Sequence, residues 1–188
     1  MDLDKAIQGR KSVRHFAAKK PSWKDILECI DATRYAPMAG NIFPLKFIVV
    51  DDKATIQKLS EASQQEFIAT APYVVVVCTD PTLVLNAYPD FAIKFCRQQA
   101  GAAIENFLLK LEEKSLKTCW IGYFVESLIM QALDIPSTMT IEALFPIGLE
   151  AKKPGTARKE RTKIDINRIL FFDKWGNRRM KDIKKLDV

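Results

Sequence analysis

The stretch that most constrains this chain is "PYVVVVCTD", residues 72–80. A tyrosine, four valines and a cysteine form a β-branched run of strand length, far short of the roughly 18 apolar residues that a membrane helix needs. A run apolar at every position has no polar face to show to water, so the strand must be covered on both sides. "LKFIVVDD" (45–52) reads as a strand before it, "TCWIGYF" (118–124) as a strand or strand-to-loop passage, and "TIEALFPIGLE" (140–150) as a later strand. Pro146 cannot donate to a ladder, which predicts an edge position or a bulge there.

The covering layers are legible as helices. Residues 3–9 form a short opening helix with Leu3 and Ile7 on one face. "PSWKDILECIDATRYA" starts at a capping signature, Ser22 with Asp25 three residues on, and repeats Trp23, Ile26, Leu27, Ile30 and Tyr35 at helical spacing until Pro37 stops it. Residues 53–69 and 125–134 read as further helices. "RQQAGAAIENFLLKLEEKSL" is the longest, with Ala100, Ala103, Ile104, Phe107, Leu108 and Leu111 as its buried stripe. Residues 82–97, broken by Pro89, are expected to form a cover with short helical pieces. Interspersed strands and helices predict an α+β fold, a mixed central sheet flanked by helices.

Charge is uneven along the 188 residues. The net charge is +6, but residues 151–188 hold 13 Lys/Arg against 5 Asp/Glu, while residues 1–150 hold 16 against 18. The expected organisation is a core at 1–150 and a basic C-terminal arm of the same domain at 151–188. The arm's apolar island, "IDINRILFFDKW", needs a surface to cover it, either this domain or a second subunit. The basic tail is short and interrupted by acids, so nucleic acid is not the expected partner. Cys29, Cys78, Cys96 and Cys119 are dispersed, with no C-x-x-C, and His15 is the single histidine, which leaves no expected metal site. They read as core thiols in a reducing compartment. With no apolar segment behind "MDLDKAIQGRK", no secretory signal or membrane association is expected, and the predicted location is cytoplasmic.

Glycine-rich phosphate loops, G-x-S-x-G and H-E-x-x-H are all missing from the sequence. Few side chains can therefore run acid–base chemistry alone, so an enzyme of this composition would rely on a bound cofactor. One segment is built to hold an anion. In "GRKSVRHF", Arg10, Lys11 and Arg14 surround Ser12. In extended chain residues 10, 12 and 14 point the same way, so two guanidinium forks and a hydroxyl can clasp a phosphate. In "YAPMAGNIFP" (35–44), Gly40 permits close backbone approach and Asn41 offers both a donor and an acceptor.

Taken together and in order, "GRKSVRHF", "APMAGNIFPLKFIVV", "TAPYVVVVC", "AAIENFLLKLEEKSLKTCWIGYF" and "LDIPSTMTIEALFPIGLEAKKP" resemble the nitroreductase family of flavoproteins, in its shorter-chain branch. The resemblance runs from about residue 3 to 176. It implies a homodimer binding FMN in a cleft between subunits, with the C-terminal arm packed on the partner. It puts Arg10, Lys11, Ser12 and Arg14 on the phosphate and ribityl segment. It puts Pro37, Met38, Ala39, Gly40 and Asn41 on a loop that reaches the flavin, typically from the other protomer. Ile121, Gly122 and Tyr123 fall along the isoalloxazine ring, with a backbone N–H near Gly122 facing flavin N5. Arg161 and Lys163 match two basic residues near the phosphate, with Arg158 and Lys159 as rivals.

The implied activity is ping-pong hydride transfer from NADH or NADPH, through the flavin, to a nitroaromatic or quinone-like acceptor, with no catalytic side chain. The alternatives are a flavin-binding or interaction module without that turnover, and a specialised relative such as a dehalogenase or a flavin-modifying enzyme. Met38, Phe43 and Leu45 depart from the family's serine, glutamine and aromatic, making the loop more apolar. Phe43, Tyr88, Phe91 and Phe124 are the candidates for the substrate pocket, although Phe43 reads equally as a repacked core residue.

Overall fold

The computed structural model describes residues 1–151 and 164–178. The chain divides into two compact units, Met1–Lys152 and Lys153–Val188. The first unit is organised by the valine run. Strand β2 (Tyr73–Thr79) is buried at every position and lies inside a four-stranded sheet with β1 (Leu45–Val50), β3 (Lys117–Thr118) and β4 (Thr140–Gly148) in the order β1-β2-β4-β3. These strands pair antiparallel, and an isolated parallel bridge from Ser12 to Thr118 makes the sheet mixed.

Side-chain alternation along β2 builds two cores. Tyr73, Val75 and Val77 pack with Phe145 and Ile147 of β4 against α2 (Trp23–Asp31) and the 22-residue α5 (Ala92–Glu113), whose predicted stripe is buried as expected. Val74, Val76 and Cys78 face the other way, onto Ile56 and Leu59 of α3 (Lys53–Ala62) and Ile129 of α6 (Glu126–Leu133). The short α1 (Leu3–Gly9) rests on α5 through Ala6, leaving Leu3 and Ile7 exposed. Among the described residues no helix is long and apolar enough to cross a membrane.

Several boundaries differ from the sequence expectation, each for a local reason. The strand holding Pro146 is central, not an edge: β4 pairs with both β2 and β3. Leu144 exchanges two backbone bonds with Ile121 at 3.0 Å, so the bonding positions on that side are 144, 146 and 148. Pro146 is one of these positions and cannot donate, and the β3 ladder breaks there, between the Lys117–Thr118 pairing and the Ile121 bridge. The bulge is at Glu142, where the register shifts between Val77 and Cys78. The helix expected over 53–69 stops at Ala62 because Gln64 turns left-handed (φ 53°), and a 3₁₀ turn, Glu66–Thr70, follows. The cover resolves into α4 (Thr82–Ala87), and α5 begins five residues before the expected "RQQ" start, with Ala92 and Cys96 buried beside Val84.

The described part of the second unit, residues 164–178, is a 3₁₀ turn (Ile166–Arg168) capped by the Asp165 carboxylate. A small aromatic knot follows, with Phe171 and Trp175 centroids 4.6 Å apart and the Arg178 guanidinium 5.7 Å over Phe171. Ile164, Ile166, Ile169 and Leu170 are exposed, and Trp175 is 89% exposed.

Candidate functional site

The cationic segment leaves α1 as extended chain at Arg10 (φ −60°, ψ 124°) and zips onto the sheet beyond β3. Ser12 bridges Thr118, and the Val13 N–H donates to the Thr118 carbonyl at 2.9 Å. Val13 is buried, so the alternation turns Ser12 and Arg14 outward. Among the described residues, neither Arg10 nor Arg14 is in an ion pair. The one recorded contact of the Arg14 guanidinium is the Phe67 ring, 5.8 Å from its centroid. Lys11 points the other way and is paired with Glu150.

That pair belongs to a second seam. Residues 15–17 run against 149–151: Ala17 N–H donates to the Leu149 carbonyl at 2.8 Å and Ala151 N–H to that of His15 at 3.0 Å. The chain thus leaves the cationic strip at Ala151 and enters the basic stretch. Arg158, Lys159, Arg161 and Lys163 lie in that stretch, outside the described residues.

Past Thr118, the Ile121–Leu144 bridge pins the ring segment. Ile121 is buried, while Gly122 and Tyr123 are exposed and their N–H groups make no hydrogen bond among the described residues. Trp120 is half-exposed, edge-on to Phe145 at 5.5 Å, and Phe124 packs on the second core. Ser12 thus pairs with Thr118 on the same strand passage that leads, four residues on, to the exposed Gly122 and Tyr123.

The 37–41 loop sits elsewhere. Residues 39–41 form a 3₁₀ turn in which Gly40 (φ 59°) and Asn41 (φ 57°) are left-handed, and Asn41 is exposed. Gly40 is required there for two reasons: the φ, and a Cβ that would lie 2.8 Å from the Tyr88 hydroxyl. The loop is held from below by Gln99 of α5, whose Oε1 accepts from Ala39 N–H at 3.2 Å. Met38 and Phe43 are half-buried against the main core and Leu45 is fully in it, so the apolar departures serve packing. Tyr88 meets Phe95 edge-on at 5.3 Å, and Phe91, half-exposed, stacks on Phe95 at 5.7 Å.

The two segments contact α5 at different heights. Gly9 abuts Glu112, where a Cβ would meet the carboxylate at 2.9 Å, while Ala39 hangs on Gln99. From Gln99 to Glu112 the helix rises about 20 Å. Gly9, just before the cationic strip, and Ala39, in the Asn41 loop, thus contact α5 at positions thirteen residues apart.

Four participants escaped sequence reasoning: Gln99, Thr118, Glu150 and Phe67. Gln99 is only 5% exposed and its Nε2 has no hydrogen-bond partner; the buried Thr118 Oγ1 has none either. A glutamine inside an otherwise apolar helical stripe was the available signal for the first. The others carry none, because strand pairing and cation–π approach are long-range contacts. Burial pushes the Cys29 thiol up to about 12 and the Cys78 thiol up to about 11, which makes them poor nucleophiles. Among the described residues no group of acids, cysteines and histidine could hold a metal ion.

This geometry is that of a known fold. The nitroreductase family model matches residues 7–149, and the chain belongs to that family of oxidoreductases. It is 33% identical over 150 residues, 77% of this chain and 83% of the relative, to an Archaeoglobus fulgidus protein provisionally named NADH dehydrogenase/NAD(P)H nitroreductase. It is 24% identical over 180 residues to the iodotyrosine deiodinase of Thermotoga neapolitana, covering 80% of this chain and 90% of the relative. A nitroreductase family protein from Clostridium novyi NT superposes with a TM-score of 0.75 at 26% identity, over 94% of this chain and 96% of that one.

Proposed function

We propose that the protein is a cytosolic, homodimeric FMN-dependent oxidoreductase that takes hydride from NADH or NADPH and passes the electrons to nitroaromatic or quinone-like acceptors. The observation that carries this reading is the strip of Arg10, Ser12 and Arg14, with neither arginine in an ion pair among the described residues, bridged at Ser12 to the strand passage that carries the exposed Gly122 and Tyr123. The residues fit FMN. Two guanidinium groups without carboxylate partners suit a dianionic phosphate, and buried Thr118 Oγ1 and Gln99 Nε2 are left unpartnered in the two halves of the site. When bound, FMN supplies a hydride-accepting and hydride-donating ring.

The chain's own residues bind and orient it. Arg10, Ser12 and Arg14 hold the phosphate end. Lys11 contributes less, its charge being offset by Glu150. The Gly122 or Tyr123 N–H donates to the ring edge, and Ile121 fixes that segment's height above the sheet. Residues 37–41 of a second copy complete the cleft. Exposed Trp120 and Phe91, together with the apolar island at 166–175, supply surface for subunits to cover. Four free, buried cysteines suit a reducing compartment.

The test is direct. Purified protein should carry or take up FMN and oxidise NADH or NADPH with menadione, and Arg14→Ala should weaken FMN retention at least tenfold. Protein that stays colourless with added FMN contradicts the reading. Flavin colour without turnover would instead favour a binding module. The deiodinase relative supports a second reading, reductive dehalogenation at the same site. Release of iodide from an iodophenol by the reduced protein, without nitroaromatic reduction, would select it.

A further inference from the structure

We infer that Phe67 is a positioning residue for the anion site, restraining the Arg14 guanidinium through a cation–π contact that leaves its charge available for a phosphate. The Arg14 carbon centre lies 5.8 Å from the Phe67 ring centroid, within the range of cation–π attraction. A ring contact leaves the positive charge unneutralised, so Phe67 restrains the cation without competing for the anion. A carboxylate at this place would do the opposite, neutralising the charge and occupying the fork. Among the described residues Arg14 has no such partner.

Both partners are fixed from behind. Arg14 follows Val13, which is buried and bonded to Thr118. Phe67 sits on the 3₁₀ turn Glu66–Thr70, where the Thr70 hydroxyl donates to its carbonyl at 2.7 Å and its ring is half-buried on the second core. The turn follows α3, whose last residue Ala62 accepts from Val125 N–H at 2.8 Å, just beyond the ring segment. Phe67 thus brings a third part of the chain to the site. The long side chain of arginine, otherwise free over many rotamers, is held ready before the anion arrives.

The inference rests on the FMN reading, and a double-mutant cycle on FMN dissociation separates the two. Phe67→Leu should weaken FMN about two- to five-fold in the native background. It should do nothing further in an Arg14→Gln background, and Phe67→Tyr, which keeps the ring face, should restore native affinity. Thermal unfolding of each apoprotein controls for packing loss in the core. An equal effect of Phe67→Leu in both backgrounds, or failure of Phe67→Tyr to restore affinity at unchanged thermal stability, overturns the inference while leaving the FMN reading intact. Native protein that takes up no FMN sinks both.

Discussion

Gln99 shows how one polar residue in an apolar stripe serves a site. Its Oε1 satisfies Ala39 N–H, yet its own Nε2 is buried without a partner, a cost of about 1–3 kcal/mol by itself. Gln99→Leu removes one good bond and one unsatisfied donor together, so global stability should change by less than about 1 kcal/mol. The loop loses its tether, and amide exchange at Ala39 should quicken at least tenfold while Phe107 in the same helix keeps its protection. Unchanged exchange at Ala39 would mean that the 3₁₀ turn holds itself. Residues of this kind mark the limit of what the sequence discloses. Arg10, Ser12 and Arg14 are legible because their pattern is local and chemically unusual. The pairing of Ser12 with Thr118 and the cation–π contact of Arg14 with Phe67 join positions more than fifty residues apart, which no spacing rule reaches.

Elements were more legible than their ends. The valine strand and the stripe of α5 follow from period and burial, and both sit where the pattern puts them. Helix termini depended on single left-handed residues such as Gln64, and the place of β4 in the sheet depended on which neighbour ended first. The contact between the 39–41 turn and the cover offers a test at this scale. Gly40→Ala combines a left-handed φ with a clash against the Tyr88 hydroxyl, and should destabilise by about 1–3 kcal/mol in urea unfolding. Adding Tyr88→Phe removes the nearest atom and should recover part of the loss. No recovery would show the backbone strain alone to be responsible.

The pairing of α2 with α5 carries a pH signature through Cys29. Burial raises its thiol from 9.0 to about 12, although Lys114 and Lys110 nearby pull it down. Between those values the unfolded chain has lost the proton that the folded chain keeps, so stability falls as pH rises, by up to about 1.4 kcal/mol per pH unit from this group. Cys29→Ala should be less stable than the native protein at pH 8, and the gap should narrow by pH 10.5. Parallel pH profiles would refute the buried thiol's part in alkaline unfolding.

At the scale of the whole molecule, α5 meets both halves of the candidate site in one chain, Gly9 before the cationic strip at Glu112 and Ala39 of the Asn41 loop at Gln99, thirteen residues apart. The account's central claim is that two copies of the chain join these halves. A heterodimer purified through two different tags, one chain carrying Arg14→Ala and the other Asn41→Trp, tests it most directly. If the site is shared, one of its two clefts combines the native Arg14 of one chain with the native loop of the other. The heterodimer should then take up about one FMN while each parent homodimer takes up almost none. A heterodimer that binds no more FMN than its parents would place the whole site within one chain and contradict the account.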